Sequence, residues 1–260
     1  MSEQNLTGYH ALVCGASRGI GRACAETMAA RGACLTLVAR NTDALSDVRN
    51  ELTAGKGIKH AVLALDLNDT RTLAERLATV ARPIHILINN AGGPPGGPLI
   101  DADADEFRRG FERLLIAAHL MTQQLVPGMR EAGYGRIVNI VSTSVREPIP
   151  GLGVSNTIRA ACAGWAKTLS RELAPDNITI NNVLPGFTAT DRLTSLFTAR
   201  AERSGCSVEE VERDALANVP AGRFAAPEEI AAAVAFLSGP DAGYITGSSL
   251  AVDGGRLHGI

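Results

Sequence analysis

The sequence predicts a single α/β domain over residues 1–260, built on a doubly wound parallel sheet of about seven strands with helices on both faces. Three observations carry that expectation. Short apolar runs alternate with helix-compatible segments along the whole chain. At 260 residues and 45% hydrophobic composition, the chain can bury one large core. The first apolar run passes through Gly15, Gly19 and Gly21 into an uninterrupted helical pattern, which reads as strand, tight turn and helix.

In chain order, strands are expected at His10–Cys14, Cys34–Ala39, His60–Leu65, His85–Asn89, Arg136–Val141, Thr179–Leu184 and Ser249–Val252. Two long helices are expected at Asp103–Glu131 and Gly153–Ala174. The Gly/Pro-rich segment Gly92–Pro98 is too short for a domain linker and reads as a stiff loop at a strand's carboxyl end. Residues 187–220, between the sixth and seventh strands, carry helical patches around Leu193–Arg203 and Val208–Ala217. In a doubly wound sheet that interval lies beside the ligand crevice, so a substrate lid is expected there.

Composition narrows the function. A net charge of −2 without a dense basic cluster speaks against nucleic acid or an anionic membrane as partner. The polar stretch Met1–Tyr9 lacks an apolar core, and no apolar run approaches bilayer length. Five cysteines without CxxC spacing suit a reducing cytosol, so a cytoplasmic enzyme with no metal site is expected.

The glycine turn offers a helix N-terminus, with free N–H groups and a positive dipole end, to a pyrophosphate. After the second strand comes Arg40, where an NAD-binding chain would usually place a carboxylate for the adenosine ribose. A planar cation there, with Arg18 inside the glycine turn, suits the 2′-phosphate of NADP. Asp66, directly after the third strand, can accept from the adenine amino group.

Taken together, Gly15-Ala16-Ser17-Arg18-Gly19-Ile20-Gly21, Asn89-Asn90-Ala91-Gly92, Gly135-Arg136-Ile137-Val138-Asn139-Ile140-Val141-Ser142, Pro185-Gly186, Tyr244-Ile245-Thr246-Gly247 and Asp253-Gly254-Gly255 span nearly the whole chain. On these motifs the sequence resembles the short-chain dehydrogenase/reductase family, especially its 3-oxoacyl-(acyl-carrier-protein) reductase branch. The resemblance implies a Rossmann-type fold, a nicotinamide cofactor and a homotetramer. It extends the cofactor-binding set to Ser17, Ile20, Leu67, Asn90, Ala91, Gly92, Pro185, Gly186 and Thr188.

The resemblance also exposes a departure. Such enzymes usually reduce a carbonyl with a proton-donating Tyr, a Lys four residues later, a carbonyl-polarising Ser and a water-anchoring Asn. The Ser falls on Ser142, but the Tyr position holds Ser155, the Lys position Arg159 and the Asn position Leu114. Lys167 lies eight residues beyond Arg159, about 12 Å along a helix, and cannot substitute. A phenol titrates near 10 and can be lowered by an ammonium, whereas a serine hydroxyl is a far poorer acid and a guanidinium does not give up its proton in proteins. Tyr9, Tyr134 and Tyr244 read as structural, and His119 and Glu147 as structural or solvated.

The catalytic candidates are therefore Ser142, Ser155 and Arg159, with Arg159 also able to hold the nicotinamide ribose or a carboxylate. Ser155 and Arg159 share a helix face, and together with Ser142 they could form an oxyanion or carboxylate site. The anion could equally be a cofactor phosphate or Glu147. The expected function is an NADP(H)-dependent oxidoreductase acting on a small molecule, anionic or acyl-carrier-linked. Two alternatives stand beside it: a weakly active or inactive NADP-binding subunit pairing with an active paralogue, and a non-redox lyase or isomerase. The tetramer interface is expected on the two long helices, through Ile158, Cys162 and Trp165.

Overall fold

The computed structural model describes residues 6–52, 55, 57–81 and 83–259. Residues 1–5 of the polar N-terminal stretch lie outside them. The strands are β1 (His10–Cys14), β2 (Cys34–Ala39), β3 (Ala61–Ala64), β4 (Ile86–Asn89), β5 (Gly135–Ile140), β6 (Ile178–Pro185) and β7 (Ser249–Val252). All pair in parallel, in the order β3-β2-β1-β4-β5-β6-β7. The order reverses between β1 and β4, which opens a crevice at the carboxyl ends of these strands.

Successive side chains divide between the two faces. Ala11 and Val13 of β1 enter one buried cluster with Met28 and Val234, while Leu12 and Cys14 enter the other with Leu77 and Met121. Helices α1 (Gly19–Ala30) and α9 (Pro227–Ser238) cover the first face; α3 (Leu73–Ala78), α5 (Ala117–Glu131) and α6 (Gly153–Leu173) cover the second. This double covering is why the strands read as continuous apolar runs.

Local signals account for the helix starts. In α2 (Thr42–Glu51) the Asn41 side chain accepts from Asp43 N at 3.0 Å and Ala44 N at 3.1 Å. In α8 (Val208–Leu216) Ser207 and Glu210 form a reciprocal capping box. Helix α9 begins with Pro227, and Glu229 accepts from Ala226 N at 2.9 Å.

One expectation changes: Asp103–Glu131 is not one helix. It divides into α4 (Ala104–Phe111), a π-helical segment over Glu112–Ile116, and α5. An extra residue per turn rotates α5 relative to α4. As a result α4 packs on α6 while α5 packs on α3 and β5. A second correction concerns the proposed interface. Ile158 and Cys162 are buried within this chain against Val141, Val154 and Leu184, and Trp165 is partly buried with its Nε1 donating to His119 Nδ1 at 3.2 Å. Ile158 and Cys162 therefore belong to this chain's own core, while Trp165 keeps a partly exposed face. Among the described residues no helix is long and apolar enough to cross a membrane.

Candidate active site

A cleft of about 740 Å³ runs along the crevice. It is lined by Gly15, Ser17, Arg18, Gly19, Ile20, Arg40, Asp66, Leu67, Asn90, Ala91, Gly92, Ser142, Ser155, Arg159, Pro185, Gly186 and Thr188, so all but one of the site residues expected from sequence share one cavity. The exception is Gly21, which is buried behind the wall. A Cβ at Gly21 would overlap Gly15 O and lie 2.6 Å from Asn90 Nδ2, so its contribution is close packing. Gly15 is as tightly held, with φ +63° and Asn90 O at 2.5 Å from a Cβ.

Asn90 ties the turn down by donating from Nδ2 to Cys14 O at 3.3 Å. Arg18 is the residue before the first turn of α1, and that turn contains no acidic side chain. The helix end therefore presents N–H groups and a cation to the cleft. At the next strand ends stand Arg40 and Asp66, the latter accepting from Asn68 N at 3.0 Å and Asn68 Nδ2 at 2.8 Å.

The cleft is braced from below by a ladder that the sequence did not reveal. Asn89, Asn139 and Asn182 face Ser249 in register across β4, β5, β6 and β7. Asn89 donates to Asn139 at 2.8 Å, Asn139 to Asn182 at 3.0 Å, and Asn182 to Ser249 at 3.1 Å. The three asparagines lie in separate strands, so only strand pairing aligns them.

At the floor, Arg159 Nε donates to Ser155 Oγ at 3.2 Å, and its Nη1 donates to Ile140 O at 3.2 Å and Val141 O at 2.6 Å. Burial, then the neighbouring Arg192 and Arg113, pushes the Arg159 pKa down to about 10. It therefore remains a cation at neutral pH. Ser142 Oγ accepts from Ser144 N at 3.1 Å. Both serines thus accept one bond from the protein and keep a hydroxyl proton for a ligand. Glu147 is not an internal partner for Arg159: its Oε1 accepts from His258 N at 2.7 Å and Gly259 N at 3.0 Å.

The remaining candidates are accounted for elsewhere. Tyr134 donates to Ser238 O at 2.8 Å and stacks on Tyr9, while Tyr244 is fully exposed. Leu114 faces Cys162, whose Sγ donates to Leu114 O at 3.6 Å. Lys167 donates to Gly247 O at 3.2 Å.

Helix α7 (Asp191–Ser204) borders the cleft, and α8 packs on α7 beside Phe187, Phe197 and Phe224. Arg192 Nη2 donates to Pro94 O at 2.6 Å and Arg203 Nη1 to Gly96 O at 2.9 Å, so α7 clasps the Gly/Pro loop. These arginines, with Arg113 and Arg256, also line the cleft, and sequence reasoning missed all four. The available signal was the position of Arg192, only four residues past Thr188.

The fold, the glycine turn and the sheet order define a dinucleotide-binding α/β protein, and the chain belongs to the short-chain dehydrogenase/reductase family. Residues 15–256 match the family model described as enoyl-(acyl carrier protein) reductase. The chain is 36% identical over 257 residues to the 3-oxoacyl-(acyl-carrier-protein) reductase FabG of Vibrio harveyi, covering 96% of this chain and 98% of that one. It is 31% identical over 258 residues to the NADPH-dependent reductase BacG of Bacillus subtilis, with the same coverage. Among solved structures it resembles L-sorbose reductase from Gluconobacter frateurii complexed with NADPH and L-sorbose, at TM-score 0.91 and 30% identity over 99% of this chain and 100% of that one.

Proposed function

We propose that this protein is an NADP(H)-dependent oxidoreductase acting on a carbonyl or hydroxyl group of a small molecule, with Ser142, Ser155 and Arg159 as its catalytic residues. The observation that carries the proposal is the Arg159–Ser155 hydrogen bond at the floor of a glycine-cradled cleft. The cofactor is NADP(H). Gly15 and Gly19 let its phosphates approach the main chain, and Arg40 and Arg18 take the 2′-phosphate. Asp66 and Leu67 hold the adenine, while Ile20, Asn90, Ala91, Gly92, Pro185, Gly186 and Thr188 line the rest of its path. The α7–α8 pair acts as the lid.

Bound NADPH supplies hydride to the substrate carbon. Ser142 and Ser155 then donate to the oxygen on which the C=O electron pair collects, and the Arg159 cation polarises Ser155 towards that role. The proton that completes the alcohol is relayed through the Ser155 hydroxyl, which is reprotonated from solvent. Turnover is therefore best for strongly polarised carbonyls. We further propose a homotetramer formed through surfaces other than Ile158 and Cys162; a monomeric mass by light scattering at micromolar concentration contradicts it.

The test of the function is NADPH consumption, followed by absorbance, across a panel of neutral, acidic and thioester-linked carbonyl compounds. Turnover of at least one polarised carbonyl that disappears in Arg159→Met is expected. No turnover by concentrated, NADPH-saturated protein supports a non-catalytic subunit instead.

A further inference from the structure

The substrate end of the cleft holds more positive charge than a nicotinamide cofactor needs. Arg113 from the π-helical segment and Arg159 from α6, both partly buried, line it together with the more exposed Arg192 from α7. None of the three forms an ion pair among the described residues. Burial chiefly pulls all three pKa values down, with neighbouring cations adding to it: Arg192 and Arg113 on Arg159, Arg113 on Arg192, and Arg40 on Arg113, where Asp66 acts the other way. Arg113 Nε is buried without a hydrogen-bond partner among the described residues. Cations gathered without an ion pair and partly withdrawn from water are unfavourable unless an anion joins them.

Two of the guanidiniums meet at one point. A Cβ built on Gly93 would lie 3.2 Å from Arg159 Nη2, 3.7 Å from Arg192 Nη2 and 3.7 Å from Ser155 Oγ. Arg159 commits Nε and Nη1 to the protein, which leaves Nη2 directed to that point. Arg192 Nη2, the atom at that point, gives one of its two hydrogens to Pro94 O and keeps the other. Convergent N–H donors from two planar cations, beside a hydroxyl, match the oxygens of a carboxylate or phosphate.

The acids nearby do not fill this role. Asp66 is occupied by Asn68 and Glu147 by residues 258 and 259, and Asp191, which also lines the cleft, forms no ion pair among the described residues. Under the proposed function the cofactor phosphates belong to the glycine turn, Arg18 and Arg40, at other parts of the cleft.

We propose that Arg159, Arg192 and Ser155, gathered around Gly93, form a receptor for an oxyanion group carried by the substrate, a carboxylate or a phosphate. The inference rests on the reading of the cleft as an NADP(H) and small-molecule site, and it makes the substrate an anionic carbonyl or hydroxyl compound. Arg192 is its specificity determinant, because α7 alone supplies the second cation.

The test is calorimetric titration of NADP-saturated protein, at constant ionic strength, with acetate, succinate, inorganic phosphate and the neutral amides acetamide and succinamide. At least one acid should bind while the amides do not; comparison of succinate with phosphate distinguishes a carboxylate receptor from a phosphate receptor. Arg192→Gln should weaken the acid at least tenfold and Arg192→Lys less, both with unchanged NADP affinity. Gly93→Ala, which fills the meeting point, should reproduce the loss by a separate route. Equal binding of acids and amides, no binding of either, or an Arg192→Gln defect that falls on NADP overturns the receptor. Acid binding without any carbonyl turnover sustains the receptor and removes the reductase reading. Turnover of neutral carbonyls without acid binding does the reverse.

Discussion

Arg159 donates its Nε hydrogen to Ser155 Oγ across one turn of α6, at 3.2 Å. Under the proposed function this pair stands in for a Tyr–Lys acid, and a serine hydroxyl is a far poorer acid than a phenol. Ser155→Tyr combined with Arg159→Lys should therefore raise reduction of a simple β-ketoester by roughly 10²–10⁴-fold, the value of a positioned general acid. Either single change should give much less. Brisk native turnover of that ester would reveal a different proton donor.

Cofactor preference should follow Arg40. With no carboxylate at the end of β2 and Arg18 on the facing turn, NADP should bind at least about tenfold more tightly than NAD, since a charge-assisted contact contributes roughly 1.5–3 kcal/mol. Arg40→Ala should remove most of that preference while leaving NAD affinity nearly unchanged. Calorimetry with both cofactors decides the matter.

Stability should fall on mild acidification because of His10. Burial, then His85 and His60, holds its pKa down to about 4, from an ordinary value of 6.5. Its Nε2 meets Thr36 Oγ1 at 2.9 Å, and its backbone N–H donates to His85 Nδ1 at 3.0 Å. The folded chain thus binds its proton later than the unfolded chain does. The contribution is present in full above pH 6.5 and is lost as pH falls towards 4, on the order of 2–3 kcal/mol for a partly buried group. Urea midpoints at pH 7 and pH 5 measure it; His10→Gln should flatten the difference.

Two glycines should respond in opposite senses to alanine. At Gly21 the new methyl overlaps Gly15 O and Asn90, so Gly21→Ala should cost roughly 1–3 kcal/mol and weaken NADP binding by displacing the turn. Gly164, inside α6, has nothing within 4 Å of a Cβ, so Gly164→Ala should add about 0.5–1 kcal/mol through helix propensity. Thermal unfolding of the two variants side by side is sufficient.

The Asn89–Asn139–Asn182–Ser249 ladder should be most sensitive at its middle. Asn139→Leu strands a buried donor on Asn89 and a buried acceptor on Asn182, a loss of about 2–4 kcal/mol, whereas Ser249→Ala at the partly exposed end should cost about 1 kcal/mol. Denaturant midpoints for both variants test the gradient.

Much of this was legible before any coordinates. Seven apolar runs became seven strands with ends moved by only a residue or so, because a strand buried on both faces must be apolar throughout. That Gly15, Arg40, Ser142, Ser155 and Arg159 line one cleft follows motifs readable along the chain, since short motifs encode local backbone and residue chemistry. The π-helical segment was not, because helical periodicity hardly changes when one turn gains a residue.

By itself, then, the sequence determined the α/β alternation, the glycine turn and the Ser155–Arg159 spacing, all properties of neighbouring residues. The tertiary structure alone decided what lies opposite what. It buried Ile158 and Cys162 inside the chain, turned Glu147 towards the C-terminus, aligned three asparagines from separate strands, and brought Arg192 to Arg159 beside Gly93. Those contacts join residues tens of positions apart, and no local pattern records them because packing of the sheet and helices, not spacing along the chain, sets their distances.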